Sequence, residues 1–331
     1  MIKRYLIIIF CCNITFAQVS DFESIDFRRA DNIVKLHEGQ SLNNLPILAH
    51  KLTHQLTSDV EKFRAIYLWV CLNIKGDVKQ NNIVMKNRKK LQNDSISYLR
   101  WNADYKKDAF KKLLKHKKTM CTGYAALIKE LCFLANIDCE IIDGYGRNLN
   151  SNVDSLEMTN HSWNAIKLNN KWYLCDATWS SGYSINNRFI KDYNNGYFLT
   201  DPILFANNHY PIDEKWLLND TSTTTKFVSA PLVYGKTFEH NILPISPSEM
   251  HIVVNKGEEI NFSFETTSNI PSDKIFLVSY NNTKLKEFKI YDLEINNELV
   301  QFKYTFNNKG FYDIHVKIDK DIVATYTIKI I

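Results

Sequence analysis

Three well-separated residues are of the types that activate a thiol: Cys121, His161 and Asp176. Cys121 follows Lys117-Lys118-Thr119-Met120 and precedes Thr122-Gly123-Tyr124 and a run of good helix formers, which places it at a helix N-terminus. There the unpaired N–H groups and the positive end of the helix dipole favour a thiolate and can hold a developing oxyanion. Lys117 and Lys118 add positive potential, and Gly123 lets another chain approach closely. Cysteines are ordinarily small buried hydrophobes, and Cys132, Cys139 and Cys175, inside apolar runs, read that way. His161 and Asp176 flank Asn169-Asn170, a two-residue hairpin turn. Counting outward from Leu168 opposite Lys171, Trp163 faces Asp176 and His161 faces Thr178. His161 and Trp163 then share one face with Asp176, which becomes the diagonal neighbour of His161 at roughly 7–8 Å between Cα atoms. A carboxylate there orients the imidazole and stabilises its cation, and a thiolate beside that ring is an activated nucleophile.

The elements that must position these groups are legible around them. Ser58 and Glu61 form a capping box, and Val60, Phe63, Tyr67, Val70 and Ile74 follow helical spacing, so an amphipathic helix is expected over Asp59–Asn73, ending by Gly76. The stretch CTGYAALIKELCFLAN reads as a buried helix, CEIIDGYG as a strand, and HSWNAIKL and KWYLCDATW as the paired strands of the hairpin. Trp163, Trp172 and Trp179 read as sheet packing, with Trp163 also at the cleft, and His209 reads as a packed or surface histidine. From residue 253 onward, period-two runs recur (INFSFET, KIFLVSY, LVQFKYTF, YDIHVKI, IVATYTIKI), which predicts a small antiparallel β-sandwich.

Taken together, KHKKTMCTGYAALIKELC, IIDGYG and HSWNAIKLNNKWYLCDATW resemble the transglutaminase-like superfamily, with Cys, His and Asp in that family's order. FRAIYLWVCLNIK and YFLTDPILFANNHYPIDEKWLL further resemble its kyphoscoliosis-peptidase and cytokinesis-protein branch. The resemblance covers residues 58–218. It implies an α+β fold: a papain-like core, in which the helix carrying the Cys packs on an antiparallel sheet, followed by the sandwich. It also implies Cys121 as nucleophile, His161 as general base and acid, Asp176 as orienter, and Gly123, Tyr124 and Trp163 as substrate-binding residues. One departure is visible: where the family usually carries an aromatic-Asp pair after the first helix motif, this chain has Gly76-Asp77. The family's second oxyanion donor is a Trp or Gln side chain upstream of the Cys, for which Trp69 and Trp101 are the candidates.

The 331 residues carry 41 Lys+Arg and 36 Asp+Glu, a net +5 that does not by itself mark a nucleic-acid protein. Residues 86–118 hold twelve Lys or Arg against three Asp, which suits either a solvated face or the collection of an acidic substrate. No HExxH, paired CxxC, acidic calcium loop or glycine-rich phosphate loop is present, so no metal or other cofactor is expected. Lys3 and Arg4, the apolar run YLIIIFCC and Thr15-Phe16-Ala17 read as a signal peptide cleaved after Ala17, too short to span a bilayer, leaving an exported chain. Five Cys then remain, an odd number that leaves at least one thiol unpaired in the monomer. The expected organisation is a signal peptide (1–17), an N-terminal helical extension (18–57) that is the candidate to mask the cleft, the core (58–218), a linker (219–240) and an immunoglobulin-like sandwich (241–331). The expected function is a cysteine hydrolase or peptidase acting on a protein or peptide amide. An acyl transferase joining glutamine to an amine and a non-catalytic binding module are the alternatives.

Overall fold

The computed structural model describes residues 19–281 and 284–331, so the expected signal peptide lies outside the described residues. Helices α1 (Arg28–Leu36) and α2 (Leu45–Thr53) come first, then α3 (Asp59–Asn73). The capping box is present: Glu61 N donates to Ser58 Oγ, and the Glu61 carboxylate accepts from Ser58 N at 3.2 Å. Instead of an amphipathic surface helix, α3 is the central core helix, with Phe63 through Cys71 buried without a break. Its span is the expected Asp59–Asn73, and Ile74, in extended conformation, is its C-cap, two residues before Gly76. Among the described residues, 19–57 are not part of the cover over Cys121. Phe22, Ala30, Val34, Leu48 and Leu52 belong to the same apolar cluster as α3, so this segment is a wall of the core.

Two dipeptide strands, β1 (Lys75–Gly76) and β2 (Lys118–Thr119), pair in parallel. Everything between them is a helical hairpin, α4 (Val78–Lys90) and α5 (Ser95–His116), which leaves the body at one strand and returns at the other immediately before Cys121. The departure at Gly76-Asp77 has a structural use, because the Asp77 carboxylate caps α4 by accepting from Gln80 N at 3.1 Å. Helix α6 (Cys121–Leu134) packs on a four-stranded antiparallel sheet of order β5-β4-β3-β8, with β3 (Cys139–Gly146), β4 (His161–Leu168), β5 (Lys171–Cys175) and β8 (His209–Pro211). Asn169 and Asn170 both take positive φ (48° and 63°), the turn expected for the hairpin, and Leu168 pairs with Lys171. A side hairpin, β6 (Gly182–Ile185) and β7 (Arg188–Lys191), and short helices α7 (Ala177–Ser180) and α8 (Pro202–Phe205) complete the core.

The stretch expected as a linker is not an open tether. It contains α9 (Thr224–Ser229) and α10 (Gly235–Glu239), buries Phe227 and Phe238, and bridges Leu232 to Thr325 of the last strand. The C-terminal unit follows as β9 (Ile242–Ser246), β10 (His251–Val254), β11 (Glu259–Thr266), β12 (Ile275–Asn281), β13 (Lys284–Phe288), β14 (Tyr291–Asn296), β15 (Leu299–Thr305), β16 (Gly310–Ile318) and β17 (Asp321–Ile330). Its sheets, β10-β17-β16-β12-β13 and β14-β15-β11-β9, face each other across one apolar core that includes Phe262, Phe302, Leu277, Ile314 and Tyr326, a sandwich as the alternating pattern predicts.

Candidate active site

Cys121 is the first residue of α6. The preceding Met120 caps the helix with no side-chain oxygen, so the leading N–H groups keep their partial positive charge beside the thiol. Asn164 of β4 ties this helix to the sheet: its side-chain amide donates to Ala125 O of α6 at 3.1 Å and Glu140 O of β3 at 3.3 Å. His161 stands three residues earlier on the same strand, so α6 and the imidazole are held in one frame.

Asp176 does not continue strand β5. The strand stops at Cys175, and Asp176 becomes the N-cap of α7. Its Oδ1 accepts from Thr178 N (2.7 Å) and Trp179 N (3.3 Å), and its Oδ2 accepts from His161 Nε2 at 2.7 Å. Side chains that the register made diagonal neighbours are therefore in direct contact, with the carboxylate locked by backbone donors. With Nε2 engaged, Nδ1 is the ring nitrogen left for Cys121, and thiol and imidazole perturb each other's protonation. Burial alone would lower the His161 pKa, but the charge and hydrogen bond of Asp176, reinforced by Cys121, raise it to about 10. Burial alone would raise that of Cys121, yet the hydrogen bond and charge of His161, with help from Arg88, bring it below the ordinary thiol value. Asp176 lies well below the carboxylate range because the neighbouring imidazoles outweigh its burial. Both shifts run in the direction of a thiolate–imidazolium pair braced by a carboxylate.

The three residues expected to bind substrate are placed otherwise. Tyr124 is 1% exposed, and its hydroxyl donates to Ile74 O at 3.0 Å, a core tie between α6 and the end of α3. Trp163, also 1% exposed, packs against Phe205 and His209 instead of lining a cleft. At Gly123 a Cβ would lie 1.9 Å from Thr119 Oγ1, so the glycine serves the close approach of β2 to α6. Trp69 is no oxyanion donor either, since its indole N–H is spent on His37 O at 2.7 Å.

Four further residues, none marked as a site residue by motif or spacing, lie around this centre. Trp179 stacks on His161 with centroids 4.6 Å apart, where its π face meets the imidazolium. Arg88, one cation among twelve in the basic segment, turns inward and donates to Thr159 O at 2.7 Å. Gln80 is buried on α4, with its Oε1 accepting from Thr119 Oγ1 at 3.4 Å. His209 is completely buried and places Nε2 3.1 Å from Asp176 Oδ2. The motif containing His209 was visible, but the fold alone brings it to Asp176. His161, Asp176 and His209 form the only cluster of three metal-ligating side chains among the described residues, with donor atoms within 4.8 Å of one another. Both imidazoles already donate to the same carboxylate oxygen, so the cluster satisfies itself by hydrogen bonds.

Cys121 is only 5% exposed. Its cover is the α4–α5 hairpin: Val84 packs on Met120 and Cys121, with Trp101 and Tyr105 behind. That hairpin fully buries only Gln80, Val84 and Leu113; Trp101, Tyr105, Phe110 and Leu114 are partly buried against the body, and its lysines face solvent.

Comparison with known proteins gives a consistent picture. Residues 47–177 match the core of the transglutaminase-like superfamily. Kyphoscoliosis peptidase of Mus musculus is 29% identical over 252 residues, covering 72% of this chain and 33% of that protein. Its Homo sapiens counterpart is 31% identical over 214 residues, covering 60% of this chain and 27% of its own length. Hillarin of Drosophila melanogaster is 25% identical over 236 residues, 66% of this chain and 26% of that protein. The chain thus spans a third or less of the length of these curated relatives.

Proposed function

From a chain whose core belongs to the transglutaminase-like superfamily, in its kyphoscoliosis-peptidase-like branch, we propose an exported cysteine hydrolase that cleaves protein or peptide amides. The observation that carries the reading is the 2.7 Å contact between Asp176 Oδ2 and His161 Nε2, beside a thiol at an uncapped helix N-terminus. The Cys121 thiolate attacks the amide carbonyl carbon, and the oxyanion that forms is held by the leading N–H groups of α6. His161 gives its Nδ1 proton to the departing amine, the C–N bond breaks, and a thioester remains on Cys121. Water then adds to the thioester carbon while His161 takes its proton, releasing the acid and restoring the thiolate. Asp176 stays ionised throughout and holds the ring. The cationic outer face of α5 suits an acidic polypeptide substrate.

Acyl transfer is the second reading, and one observation favours it. The cover over Cys121 is apolar and aromatic, a setting that keeps water from a thioester and lets an incoming amine compete.

The test is the rate of iodoacetamide alkylation at Cys121 against pH, located by mass spectrometry, in wild type and His161→Ala. Rapid reaction near pH 6, lost in the variant, is expected. Alkylation that rises only above about pH 8, as for an ordinary thiol, would leave the cleft as a binding surface. With a reactive Cys121 in hand, release of ammonia or amine from peptide amides against incorporation of a labelled amine separates the two chemistries.

A further inference from the structure

We propose that His209 is a positioning residue of this site, whose Nε2–H keeps Asp176 ionised and aimed at His161. The inference rests on the Cys121–His161–Asp176 reading above. Strand β3 lies between β4 and β8, pairing Gly144 with His161 on one side and Gly146 with His209 on the other. Neither glycine carries a side chain into the space between the rings: a Cβ at Gly146 would lie 3.0 Å from His161 Cβ and from the Trp179 ring. The imidazoles therefore come within 5.3 Å of each other, centroid to centroid, and converge on one carboxylate oxygen. Oδ2 receives His161 Nε2 at 2.7 Å and His209 Nε2 at 3.1 Å. His209 has no other freedom. It stacks on Phe205 at 3.9 Å, meets Trp163 edge-on at 5.0 Å, and places Nδ1 2.6 Å from Oδ1 of Asn208, whose Nδ2 donates to the Tyr197 hydroxyl at 3.0 Å.

The proton count follows from burial. His209, with no exposed surface on its side chain, is pushed down to about 4 and is neutral near pH 7, with one ring proton. The charged Asp176 Oδ2 outcompetes the neutral Asn208 Oδ1 for that proton and holds it at Nε2; a half-turn of the Asn208 amide would then present its NH2 to Nδ1 and its oxygen to the Tyr197 hydroxyl, giving up the 3.4 Å contact to Val233 O. The other titratable groups facing Asp176 are Cys71 and Tyr67 of α3, Tyr124 of α6, Cys175 of β5 and Tyr197; burial raises all of them and keeps them neutral. Protons thus move on Cys121, His161, His209 and Asp176, with the positive charge of Arg88 close enough to Cys121 to favour its thiolate. Without the His209 donor, Oδ2 keeps one partner in a dry site, Asp176 takes up a proton at higher pH, and the His161 cation that sustains the Cys121 thiolate is lost with it.

The experiment uses the full chain and the pH profile of Cys121 alkylation by iodoacetamide in wild type, His209→Phe and His209→Gln. In His209→Phe the acid-side midpoint rises by about one pH unit, the size expected when one charge-assisted hydrogen bond to a carboxylate is lost. In His209→Gln the amide N–H replaces the donor and the midpoint returns toward wild type. A role in packing alone would change overall labelling without moving the midpoint, so an unmoved midpoint in His209→Phe overturns the proposal. Should His209→Phe fail to fold, imidazole 15N NMR of the wild-type chain decides: a protonated Nε2 and bare Nδ1 on His209 near pH 7 are expected, and a bare Nε2 refutes it. A wild-type Cys121 that titrates as an ordinary thiol would instead defeat the triad reading, while the NMR signature still decides the His209–Asp176 bond on its own.

Discussion

Replacing Asp176 by Asn tests the physics of the site most directly. The wild-type carboxylate is fully buried and accepts four hydrogen bonds, two from backbone N–H groups of α7 and two from imidazoles. Asparagine can keep the cap on α7 with its oxygen, but it turns an NH2 toward His161 and His209 and removes the charge. His161 then has no counter-ion and goes neutral, so Cys121 recovers its proton. Breaking one partner out of a buried ion pair costs about 3–5 kcal/mol. For a domain of this size each kcal/mol is worth about 2–4 °C, so the core should melt about 6–20 °C lower near pH 7. Alkylation of Cys121 at pH 6 should fall by roughly two orders of magnitude, because a thiol that titrates near 8.5 is about that sparsely ionised there. Asp176 is depressed in the fold, so its contribution is present above the ordinary carboxylate value of 3.8 and is lost as pH falls toward its own lower value. The melting temperatures of wild type and variant should therefore converge in strong acid. Calorimetry across pH, with mass-spectrometric alkylation, reads both effects. A variant melting within about 2 °C of wild type at pH 7 and labelling equally fast at pH 6 would refute the argument.

Removing the cover should expose the thiol without changing its chemistry: Trp101→Ala is expected to speed Cys121 alkylation at every pH with an unmoved midpoint, and an unchanged rate would mean that the α4–α5 hairpin does not control access. Gly123→Ala forces a methyl group into Thr119, so a loss of about 1–3 kcal/mol is expected in denaturant unfolding, and a neutral result would contradict the close β2–α6 approach. Binding of an acidic peptide should weaken as salt rises and should weaken further when Lys111 and Lys112 become Glu; salt-indifferent binding would detach the basic face from substrate capture. His161, raised to about 10, contributes stability that is complete below its ordinary 6.5 and lost as pH climbs to 10, while the lowered Cys121 contributes stability that is complete only above the ordinary thiol value. From the pH at which the folded Cys121 has ionised up to the ordinary thiol value of 9.0 the two proton counts cancel, so melting should be flat there and fall above about pH 9, and His161→Ala should lose that alkaline drop.

How much of the site was readable depends on how local each contact is. The hairpin register needed only Asn169 and Asn170 at positive φ and alternation along two short strands, so the nearness of His161 to Asp176 was visible in the sequence. That Asp176 would leave the strand and cap α7 was not, because KWYLCDATW keeps strand-like apolar content through the break. His209 lies 33 residues from Asp176, and only the sheet order β5-β4-β3-β8 brings them together, a pairing that no local period encodes. The cover over Cys121 hangs on two paired dipeptides, too short to show any alternation, so α4 and α5 read only as a basic stretch, Arg88 is lost among its cations, and Trp101 reads as a candidate oxyanion donor where the fold makes it part of the apolar cover. The family resemblance implies Tyr124 and Trp163 as substrate-facing through their closeness in sequence to Cys121 and His161. A helix turns Tyr124 onto α3, and the opposing Phe205 and His209 claim Trp163. In the sandwich the strands with a buried alternate face were legible; β13 is mostly charged, and β14, although Tyr291, Leu293 and Ile295 alternate with polar residues, leaves even that face mostly exposed at the edge of its sheet. Chemistry carried by neighbours on one hairpin is thus written locally. Chemistry carried across the sheet, as by His209, or over the site, as by Trp101, is written only in the fold, and for that reason those two residues are the ones whose mutation will test the structure and not the motif.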